Sequence, residues 1–514
     1  MTVRTETPHG TSTIVASYLL GLDAGNTVIK AVLFDTSGRQ VALHALDGAT
    51  HKPLPGMVER SVPELWENAS AAIRGCLQRA GVSSADVLAV GCAGHGNGLY
   101  LLDKSGAALL GIQSLDSRAA ALASEIDAAS GDAIQAISLQ RPWPAQTPVL
   151  LAWLKRHRPE IYAKAGTLLF AKDVLTSRLT GARVSDISDM TGAGLMCLPE
   201  ASHDSGLLSL YGVEDALPLL PPAIEPSAIA GHVTAEAAQA TGLSAGTPVI
   251  GGYFDVVSSA LGSGAVKQGD ASIVVGSWSI NQVFAPRAAA DRRVFMVSKF
   301  GAGRFLNMEN SATSAANLEW YVREFIERGS HHADPFGAVN AAVGSVRPAA
   351  GDPYFHPFLY GGRMGAHQRG GFYGIAGWHG EGHLLRAIFE GVMFEHRRHV
   401  EVLAEAGLGF DRVALSGGGA RSAHWPQMFA DGLGRHVTVA EATETGALGA
   451  AIGAALALGL HADYEAAVAA MTQARARFAP DAGMRAHYDK RYETWTRITR
   501  AMEPVWREMA GAAQ

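Results

Sequence analysis

Three short apolar runs with the character of β-strands follow one another near the start of the chain. SYLLGLDAG, TVIKAVLFD and RQVALHAL are separated by brief polar turns, of which the second is TSGR. This pattern predicts an antiparallel meander. The first turn carries an acid, a hydroxyl and a base, whereas an ordinary hairpin needs only one or two residues that tolerate positive φ.

A helix follows the meander. Ser61 and Glu64 form a capping-box pattern, Pro63 lies inside the first turn, and an amphipathic run continues to Gly81. VLAVGCAG and GLYLLD then return to strand. The β-β-β-α-β order, with an antiparallel lead and a parallel continuation, predicts an α/β fold that is not a uniformly doubly wound sheet.

The middle of the chain repeats this opening. TPVIGGYFDVVSSALGSGAV (247–266) is interpreted as a strand, a Gly-Gly turn and a helix that begins at Phe254 or Asp255. DASIVVGSWSINQVFAP (270–286) is interpreted as a second hairpin, joined at Gly276-Ser277. Two halves that each begin with a polar-tipped hairpin predict a duplicated architecture. We therefore expect a loose tail over residues 1–14 and two domains over residues 15–266 and 267–514.

Composition limits the class of protein. With 514 residues the chain exceeds the size at which one core keeps growing, so two large domains with a cleft between them are expected. Apolar residues make up 48% and charged residues 18%, which indicates a soluble globular protein. The net charge of −6 provides no basic stripe, so we expect a small-molecule ligand and no nucleic-acid partner.

Cysteine usage and the terminal segment predict the compartment. Cys76, Cys92 and Cys197 are widely spaced without a C-x-x-C pair, which favours a reducing, cytoplasmic location over disulfides or structural zinc. The first apolar run is too short and wrongly flanked for a signal peptide. GALGAAIGAALALGL (446–460) is shorter than the roughly 20 residues that span a bilayer, so we expect an interior helix and no membrane partner.

The first turn has the residue types of a metal and polyphosphate site. Asp23 is a candidate cation ligand, and Gly25 lets a backbone approach closely. Asn26 and Thr27 offer donors, and Lys30 offers a cation. Such a set suits a polyphosphate with Mg²⁺, although a tight turn with a solvated lysine explains the same residues. The sequence contains no G-x-x-x-x-G-K-[ST] and no G-x-G-x-x-G between strand and helix, which excludes P-loop and Rossmann sites.

Glycine-rich turns in the second half are candidates for binding a nucleotide. Gly276 and Ser277 would place a second set of backbone N–H groups opposite the first turn. LSGGGARSAHWPQMFAD (415–431) ends a strand and opens a helix from Ser422, and its glycines leave room for a flat ring against bare backbone. A close helix–strand contact is the alternative. The nucleotide candidates in this segment are Gly417, Gly418, Gly419 and Ser422.

Asp255 is the sharpest candidate for a catalytic base. It follows a Gly-Gly turn at the C-terminal end of a strand, where α/β proteins place ligands. A base at this position would accept the proton of a hydroxyl that attacks a γ-phosphate. A helix N-cap explains the same aspartate without catalysis.

Four other residues are candidates for contacts with a polyol or sugar. His95 and Asn97 lie in GCAGHGNGLYLLD, at a glycine-rich strand end, where a purely structural histidine is the alternative. Asp116 and Arg118 lie in SLDSRAA, where they would contact hydroxyl groups or form an ion pair at a helix start.

Five motifs, in order along the chain, resemble those of the FGGY carbohydrate kinases. GLDAGNTVIKAVLFD is similar to the first phosphate motif of the family, FDVVSSALGSGAV to its catalytic-base segment and GSWS to its second phosphate motif. GFYGIAGWHGEGHLLRAIFEGVMF (371–394) resembles the C-terminal signature, and SGGGARSAHWPQMFADGLGRHV resembles the adenosine motif. The resemblance extends from about residue 18 to the C-terminal helix.

The resemblance implies an actin-like, hexokinase-type fold of two RNase-H-like domains that close over a sugar and Mg-ATP. The N-terminal domain would bind the sugar and the C-terminal domain the nucleotide, and the family often forms homodimers. Asp255 would be the base and Asp23 a metal-linked acid. Thr27 and Gly276-Ser277 would contact phosphate, and Gly418-Gly419 would form an adenosine wall.

The resemblance also implies the reaction, which is ATP-dependent phosphorylation of a terminal hydroxyl on a pentulose of the xylulose type. Ser114 replaces the tryptophan usual two residues before the Asp116 position, Val256 replaces an asparagine typical of D-xylulose kinases, and Asn26 and Val28 replace hydroxyl residues. These departures look more like the L-xylulose kinase branch. GHGNG and EPVWREMA are also similar to erythritol kinases. The alternatives are a polyol kinase for erythritol or glycerol and a catalytically silent sugar-binding regulator.

Overall fold

The computed structural model describes residues 17–301, 303–328 and 334–511. The tail expected over residues 1–14 lies outside the described residues. The described chain is built around two seven-stranded mixed sheets, one from each half, with helices packed on them and three smaller sheets beside them.

The first half of the described chain supplies the first large sheet and two of the small sheets. Its strands are β1 (Tyr18–Ala24), β2 (Val28–Asp35), β3 (Gln40–Asp47), β4 (Val87–Gly94), β5 (Leu99–Asp103), β6 (Ala108–Ile112), β7 (Ala165–Leu169), β8 (Ser185–Asp186), β9 (Ala223–Ile224), β10 (Ile229–His232), β11 (Pro248–Ile250) and β12 (Tyr253–Phe254). Its helices are α1 (Val62–Ala80), α2 (Ala120–Ser138), α3 (Thr147–His157), α4 (Pro159–Tyr162), α5 (Ala171–Thr180), α6 (Ile187–Gly192), α7 (Ser205–Leu210), α8 (Ala235–Thr241) and α9 (Asp255–Gly262).

The second half supplies the other large sheet and a two-stranded ribbon. Its strands are β13 (Asp270–Val275), β14 (Ser279–Ala285), β15 (Met296–Lys299), β16 (Phe305–Ser311), β17 (Tyr354–His356), β18 (Gly371–Tyr373), β19 (Arg412–Ser416), β20 (His436–Ala440) and β21 (Ala474–Phe478). Its helices are α10 (Ala316–Tyr321), α11 (Pro335–Gly344), α12 (Glu381–Glu405), α13 (Trp425–Leu433), α14 (Thr445–Ala457), α15 (Tyr464–Met471) and α16 (Ala482–Gly511).

The predicted meander and the helix after it are confirmed. β1 pairs antiparallel with β2, and β2 pairs antiparallel with β3. The helix begins after Ser61, whose hydroxyl accepts the N–H of Glu64, and it ends at Gly81 in the left-handed region. β4 then lies parallel to β1. The strand GLYLLD, however, leaves this sheet, because β5 pairs with β6 and β7 in a separate three-stranded sheet.

The duplicated architecture is visible in the strand order of the two large sheets. The first contains β3-β2-β1-β4-β11, in which the leading strands are antiparallel and β1, β4 and β11 are parallel. The second contains β16-β14-β13-β19-β20 with the same alternation of pairing. Each half therefore presents a hairpin and the C-terminal ends of parallel strands at one edge of its sheet.

The small-residue helix α14 joins the two halves. It packs on β1, β4 and α9, which all belong to the first half. A Cβ atom on Gly21 would lie 2.0 Å from the carbonyl oxygen of Ala447, and one on Gly449 would lie 1.9 Å from that of Ser258. Glycine is thus required at these two positions for the close approach of the backbones. The interior helix expected over 446–460 is confirmed, and no helix in the described ranges has the length and apolarity of a bilayer span.

Candidate active site

Three predicted site segments meet at one edge of the first sheet. β1 and β12 both run parallel to β4, with Ala24 and Phe254 each opposite Gly94. The residues after these strand ends therefore lie side by side, and the N–H of His95 donates to the carbonyl of Ala24 at 3.1 Å. This edge brings together the first turn, the GHGNG segment and Asp255.

Asp23 lies near the end of β1, in a partly buried and electrostatically crowded position. Its cross-strand neighbour is Lys30, whose ammonium pairs with Glu444 at 2.6 Å. A Cβ atom on Gly446 would lie 2.6 Å from a carboxylate oxygen of Asp23, so α14 approaches the acid closely. Burial raises the pKa of Asp23 to about 6, with Lys30 lowering it and Glu444 raising it.

Asp255 is the first residue of α9, and the N-cap position belongs to Phe254. The aspartate is therefore not the N-cap of this helix. Burial, followed by the negative charge of Asp23, raises the pKa of Asp255 to about 8. The charge of one acid thus acts on the other, which is an arrangement that tunes an acid toward neutral pH.

The segment after β4 carries polar atoms that have no partner. His95 and Asn97 are both 2% exposed, and Asn97 has a φ of 58°. His95 Nε2 lies 3.2 Å from the hydroxyl of Tyr100, whereas His95 Nδ1 and Asn97 Oδ1 have no hydrogen-bond partner in the described chain. Burial, and the charge of Arg60, lower the pKa of His95 to about 3, so its imidazole is neutral.

The tip of the first turn contacts the segment that holds Asp116. Asn26 Nδ2 donates a hydrogen bond to Ser114 Oγ at 2.9 Å, and Gln113 donates to the carbonyl of Asn26 at 2.7 Å. Both Asn26 and Ser114 are positions at which the sequence departs from many FGGY sequences. The structure thus shows that two of the departures lie in direct contact.

Asp116 and Arg118 form the ion pair that the sequence offered as one of two alternatives. Arg118 pairs with Asp116 at 2.9 Å and with Glu59 at 2.7 Å, and its guanidinium lies over the ring of Trp153. Asp116 also accepts the N–H of Val58 at 2.6 Å. Both side chains are buried and bonded within the protein, and their contact with a substrate stays a prediction.

The nucleotide candidates of the second half lie together at the edge of the second sheet. Val274 of β13 is opposite Ser416 of β19 in a parallel pair, so Gly276-Ser277 and the glycine run leave the sheet side by side. Ser277, Gly417 and Gly418 are exposed, and a Cβ atom on Gly276 would meet no atom closer than 3.9 Å. This surface is open to a ligand.

The remaining two nucleotide candidates have packing partners. A Cβ atom on Gly419 would lie 2.4 Å from the side chain of Val275, so this glycine permits a close contact with β13. The Ser422 hydroxyl donates to the side chain of Asn340 at 3.0 Å and accepts the N–H groups of His424 and Trp425. Helix α13 begins only at Trp425. The helix expected from Ser422 therefore starts three residues later.

A buried charge cluster beside the GHGNG segment was not predicted from the sequence. Lys172 is fully buried and pairs with Asp173, with Asp186 at 2.7 Å and with Asp189 at 3.2 Å. Burial opposes the charge on Lys172, but the three carboxylates raise its pKa well above the ordinary value. Burial raises the pKa of Asp189 well above its usual range.

This cluster, hereafter the Lys172 cluster, is connected to the backbone beside Asp255. Asp186 accepts the hydroxyl and the N–H of Ser188, and Ser188 Oγ accepts the N–H of Phe254 at 3.1 Å. Cβ atoms on Gly96 and Gly192 would lie 2.6 and 3.0 Å from the ring of Phe254, so the ring is held between two glycines. The sequence signal was the charged pair Lys172-Asp173 in an otherwise apolar run.

The relationship of the chain to known proteins agrees with this geometry. Residues 18–262 match the N-terminal domain of the FGGY family of carbohydrate kinases, and residues 271–458 match its C-terminal domain. The chain belongs to the FGGY family of carbohydrate kinases. The relationship identified from the five motifs is confirmed, and this FGGY protein is a sugar kinase.

Relatives of this FGGY kinase are similar over almost its whole length. The L-xylulose/3-keto-L-gulonate kinase of Escherichia coli (strain K12) is 33% identical over 493 residues, which cover 95% of this chain and 98% of the relative. The probable L-xylulose kinase of Pasteurella multocida (strain Pm70) is 33% identical over 95% of this chain and all of the relative.

A solved structure confirms the fold. The xylulose kinase of Rhodospirillum rubrum superimposes with a TM-score of 0.85 at 27% identity, over 95% of this chain and all of that chain. The actin-like fold of two α/β domains, implied by the sequence motifs, is thus the fold of this FGGY kinase. Its family binds a sugar and ATP, usually with Mg²⁺.

Proposed function

We propose that this kinase transfers the γ-phosphate of ATP to a terminal hydroxyl of a pentulose of the xylulose type, with Asp255 as the general base. The observation that carries the proposal is the position of the Asp255 carboxyl. It lies at the ligand-binding edge of parallel strands, beside Asp23, with a pKa raised to about 8. A base is most effective when its pKa lies near the working pH.

The phosphates of ATP would lie against the turns of both sheets. In the first sheet, the N–H groups of Asn26 and Thr27 would donate to phosphate, Gly25 would let the phosphate approach the backbone, and Lys30 would be a nearby cation. In the second sheet, Gly276-Ser277 would hold phosphate, and the exposed Gly417 and Gly418 would face the adenosine. Phosphoryl transfer depends mainly on such positioning and charge neutralisation.

The residues at the first turn fit Mg²⁺. Asp23 supplies a partly exposed carboxylate near the end of β1. Mg²⁺ is typically held by one or two carboxylates and by substrate phosphates, and in the described ranges no three acids, histidines or cysteines gather in a metal-binding group. When bound, the ion would neutralise charge on the phosphates.

The sugar would contact the polar segment after β4. His95 Nδ1 and Asn97 Oδ1 are buried without partners, and hydroxyl groups of a sugar would satisfy both. Among the pentuloses we propose L-xylulose as the substrate, because two relatives that match almost the whole chain are named as L-xylulose kinases. The name of the Escherichia coli relative also includes 3-keto-L-gulonate, so this acid belongs in the substrate panel.

The test is sugar-dependent ADP release, measured with D-xylulose, L-xylulose, L-ribulose, 3-keto-L-gulonate, erythritol and glycerol. We expect the highest kcat/KM with L-xylulose. Asp255→Asn should lower kcat by at least about 100-fold, because the base is lost while the shape is kept. Asp411→Asn, an exchange at an exposed position, is the matched control and should leave kcat unchanged.

Three outcomes would overturn parts of this proposal. Near wild-type turnover by Asp255→Asn would exclude Asp255 as the base. Higher kcat/KM with erythritol or glycerol would make the protein a polyol kinase. Thermal stabilisation by a sugar without any ADP release would indicate a silent sugar-binding protein. A pocket that hydrogen-bonds a hydroxyl rejects an analogue lacking it by roughly 10⁴-fold, so the panel separates these cases.

A further inference from the structure

Arg60 is a fully buried cation whose guanidinium has no carboxylate partner among the described residues. Its guanidinium instead donates to three main-chain carbonyls. The distances are 2.8 Å to the oxygen of Ala49 and 3.0 Å to that of Gly25, and the third acceptor is the oxygen of Asn26. A buried charge without a counter-ion is costly, so its retention calls for a physical reason.

Two of these carbonyls belong to the turn that follows β1. In a planar trans peptide the C=O and the next N–H point in opposite directions. When Arg60 holds the carbonyls of Gly25 and Asn26, the N–H groups of Asn26 and Thr27 are turned to the opposite side. In the described part of the chain neither of these amides has a hydrogen-bond acceptor.

The charge of Arg60 also reaches the neighbouring side chains. It is one cause of the lowered pKa of His95, which keeps that imidazole neutral. Glu64 is a nearby acid, but its carboxylate bonds to Ser61 and His51 on the surface. The positive charge beneath the turn is therefore not neutralised by a contacting acid of the described chain.

We propose that Arg60 is a positioning residue for the phosphates of ATP. It holds the carbonyl side of the turn and leaves the amides of Asn26 and Thr27 directed at an anion, to which its own charge adds attraction. The inference rests on the proposed function, because the anion is the nucleotide. Successive free backbone N–H groups form anion-binding concavities in many proteins, and an unneutralised cation behind them strengthens the local positive potential.

Two variants compare a retained charge with a removed charge at this position. Arg60→Lys keeps the charge with fewer donors, and Arg60→Gln removes the charge and keeps an amide donor of shorter reach. We expect Arg60→Gln to raise the KM for ATP and the Kd for ADP about tenfold. Arg60→Lys should stay within about threefold of wild type. The KM for the sugar should change by less than about threefold in both variants, because Arg60 lies behind the phosphate turn.

The control is Arg74→Gln. Arg74 lies on the exposed face of α1, the helix that begins two residues after Arg60. Within the described residues the Arg74 guanidinium donates to the carbonyl of Ala240, far from the turn, so its loss should leave the Kd for ADP unchanged. Calorimetric titration with ADP provides the binding constant independently of turnover. Melting temperatures show which variants are folded under the conditions of titration.

The outcomes distinguish this inference from the proposed function. If wild type phosphorylates a sugar and Arg60→Gln binds ADP as tightly as wild type, Arg60 has no role toward phosphate. Equal weakening of ADP and sugar binding in both variants would mean that Arg60 only supports the fold. If wild type itself binds neither ATP nor ADP, the proposed function fails first. A tenfold loss of ADP affinity that is confined to Arg60→Gln supports the inference.

Discussion

Burial of Asp255, and next the negative charge of the neighbouring Asp23, raise the pKa of Asp255 to about 8. Between pH 4 and pH 8 the folded protein therefore holds a proton on Asp255 that the unfolded chain releases. Stability falls with rising pH wherever the folded state binds more protons than the unfolded state. In the absence of ligands, the ionised form of Asp255 therefore lowers the free energy of unfolding, and the loss is largest at high pH.

Asp255→Asn removes this titration and should stabilise the ligand-free protein at high pH. We expect its melting temperature to exceed that of wild type by a margin that grows with pH, with a gain of about 2–5 °C between pH 5 and pH 8.5. Scanning calorimetry without nucleotide and Mg²⁺ measures the difference. Asp411→Asn, at an exposed position, should show no such trend. A difference that stays constant from pH 5 to pH 8.5 would contradict the assigned shift.

The hydrogen bond between Asn26 and Ser114 should influence sugar selection. Ser114→Trp restores the tryptophan usual two residues before the Asp116 position and displaces the Asn26 side chain, whose Nδ2 lies 2.9 Å from Ser114 Oγ. We expect kcat/KM for L-xylulose to fall at least about tenfold, because an inserted ring overpacks the contact. Ser114→Ala removes only one hydrogen bond and should cost less than about fivefold. Equal effects of both variants would disprove the steric explanation.

The Lys172 cluster should depend strongly on its one cation. Lys172→Met leaves three buried carboxyl groups without their counter-ion, and we expect a loss of about 3–5 kcal/mol in the free energy of unfolding. Urea denaturation at pH 7 measures it. Lys155→Met, which breaks an exposed pair with Asp215, should cost less than about 1 kcal/mol. Comparable losses in the two variants would show that the cluster contributes no special stability.

The same cluster allows a second test through Ser188. Ser188→Ala removes the acceptor of the Phe254 N–H, and the adjacent Asp255 should lose its exact position. We expect kcat to fall about 10- to 100-fold with an unchanged KM for ATP, since small displacements of reacting groups are costly. Ser298→Ala removes a donor to the Ser188 carbonyl from β15 and should have little effect on kcat. If kcat fell further in Ser298→Ala than in Ser188→Ala, the effect would come from the contact of β15 with Ser188 and not from the hydrogen bond to the Phe254 N–H.

The sequence alone was sufficient for features that depend on neighbouring residues. The hairpins at residues 18–35 and 270–285, the capped helix after Ser61 and the interior character of 446–460 were all predicted, because periodicity and turn chemistry act within a few residues. The motifs also identified the family, and with it the candidate roles of Asp23 and Asp255.

Contacts between distant segments were decided only by the tertiary structure. The Asn26–Ser114 bond joins residues 88 positions apart, and the Lys172 cluster adds Asp186 and Asp189 from one later segment of the chain. The ion-pair alternative for Asp116 and Arg118 also required coordinates, because side-chain burial depends on what packs above it. Strand pairing and helix packing fix such contacts through long-range geometry, whereas a linear pattern records only which face of an element is apolar.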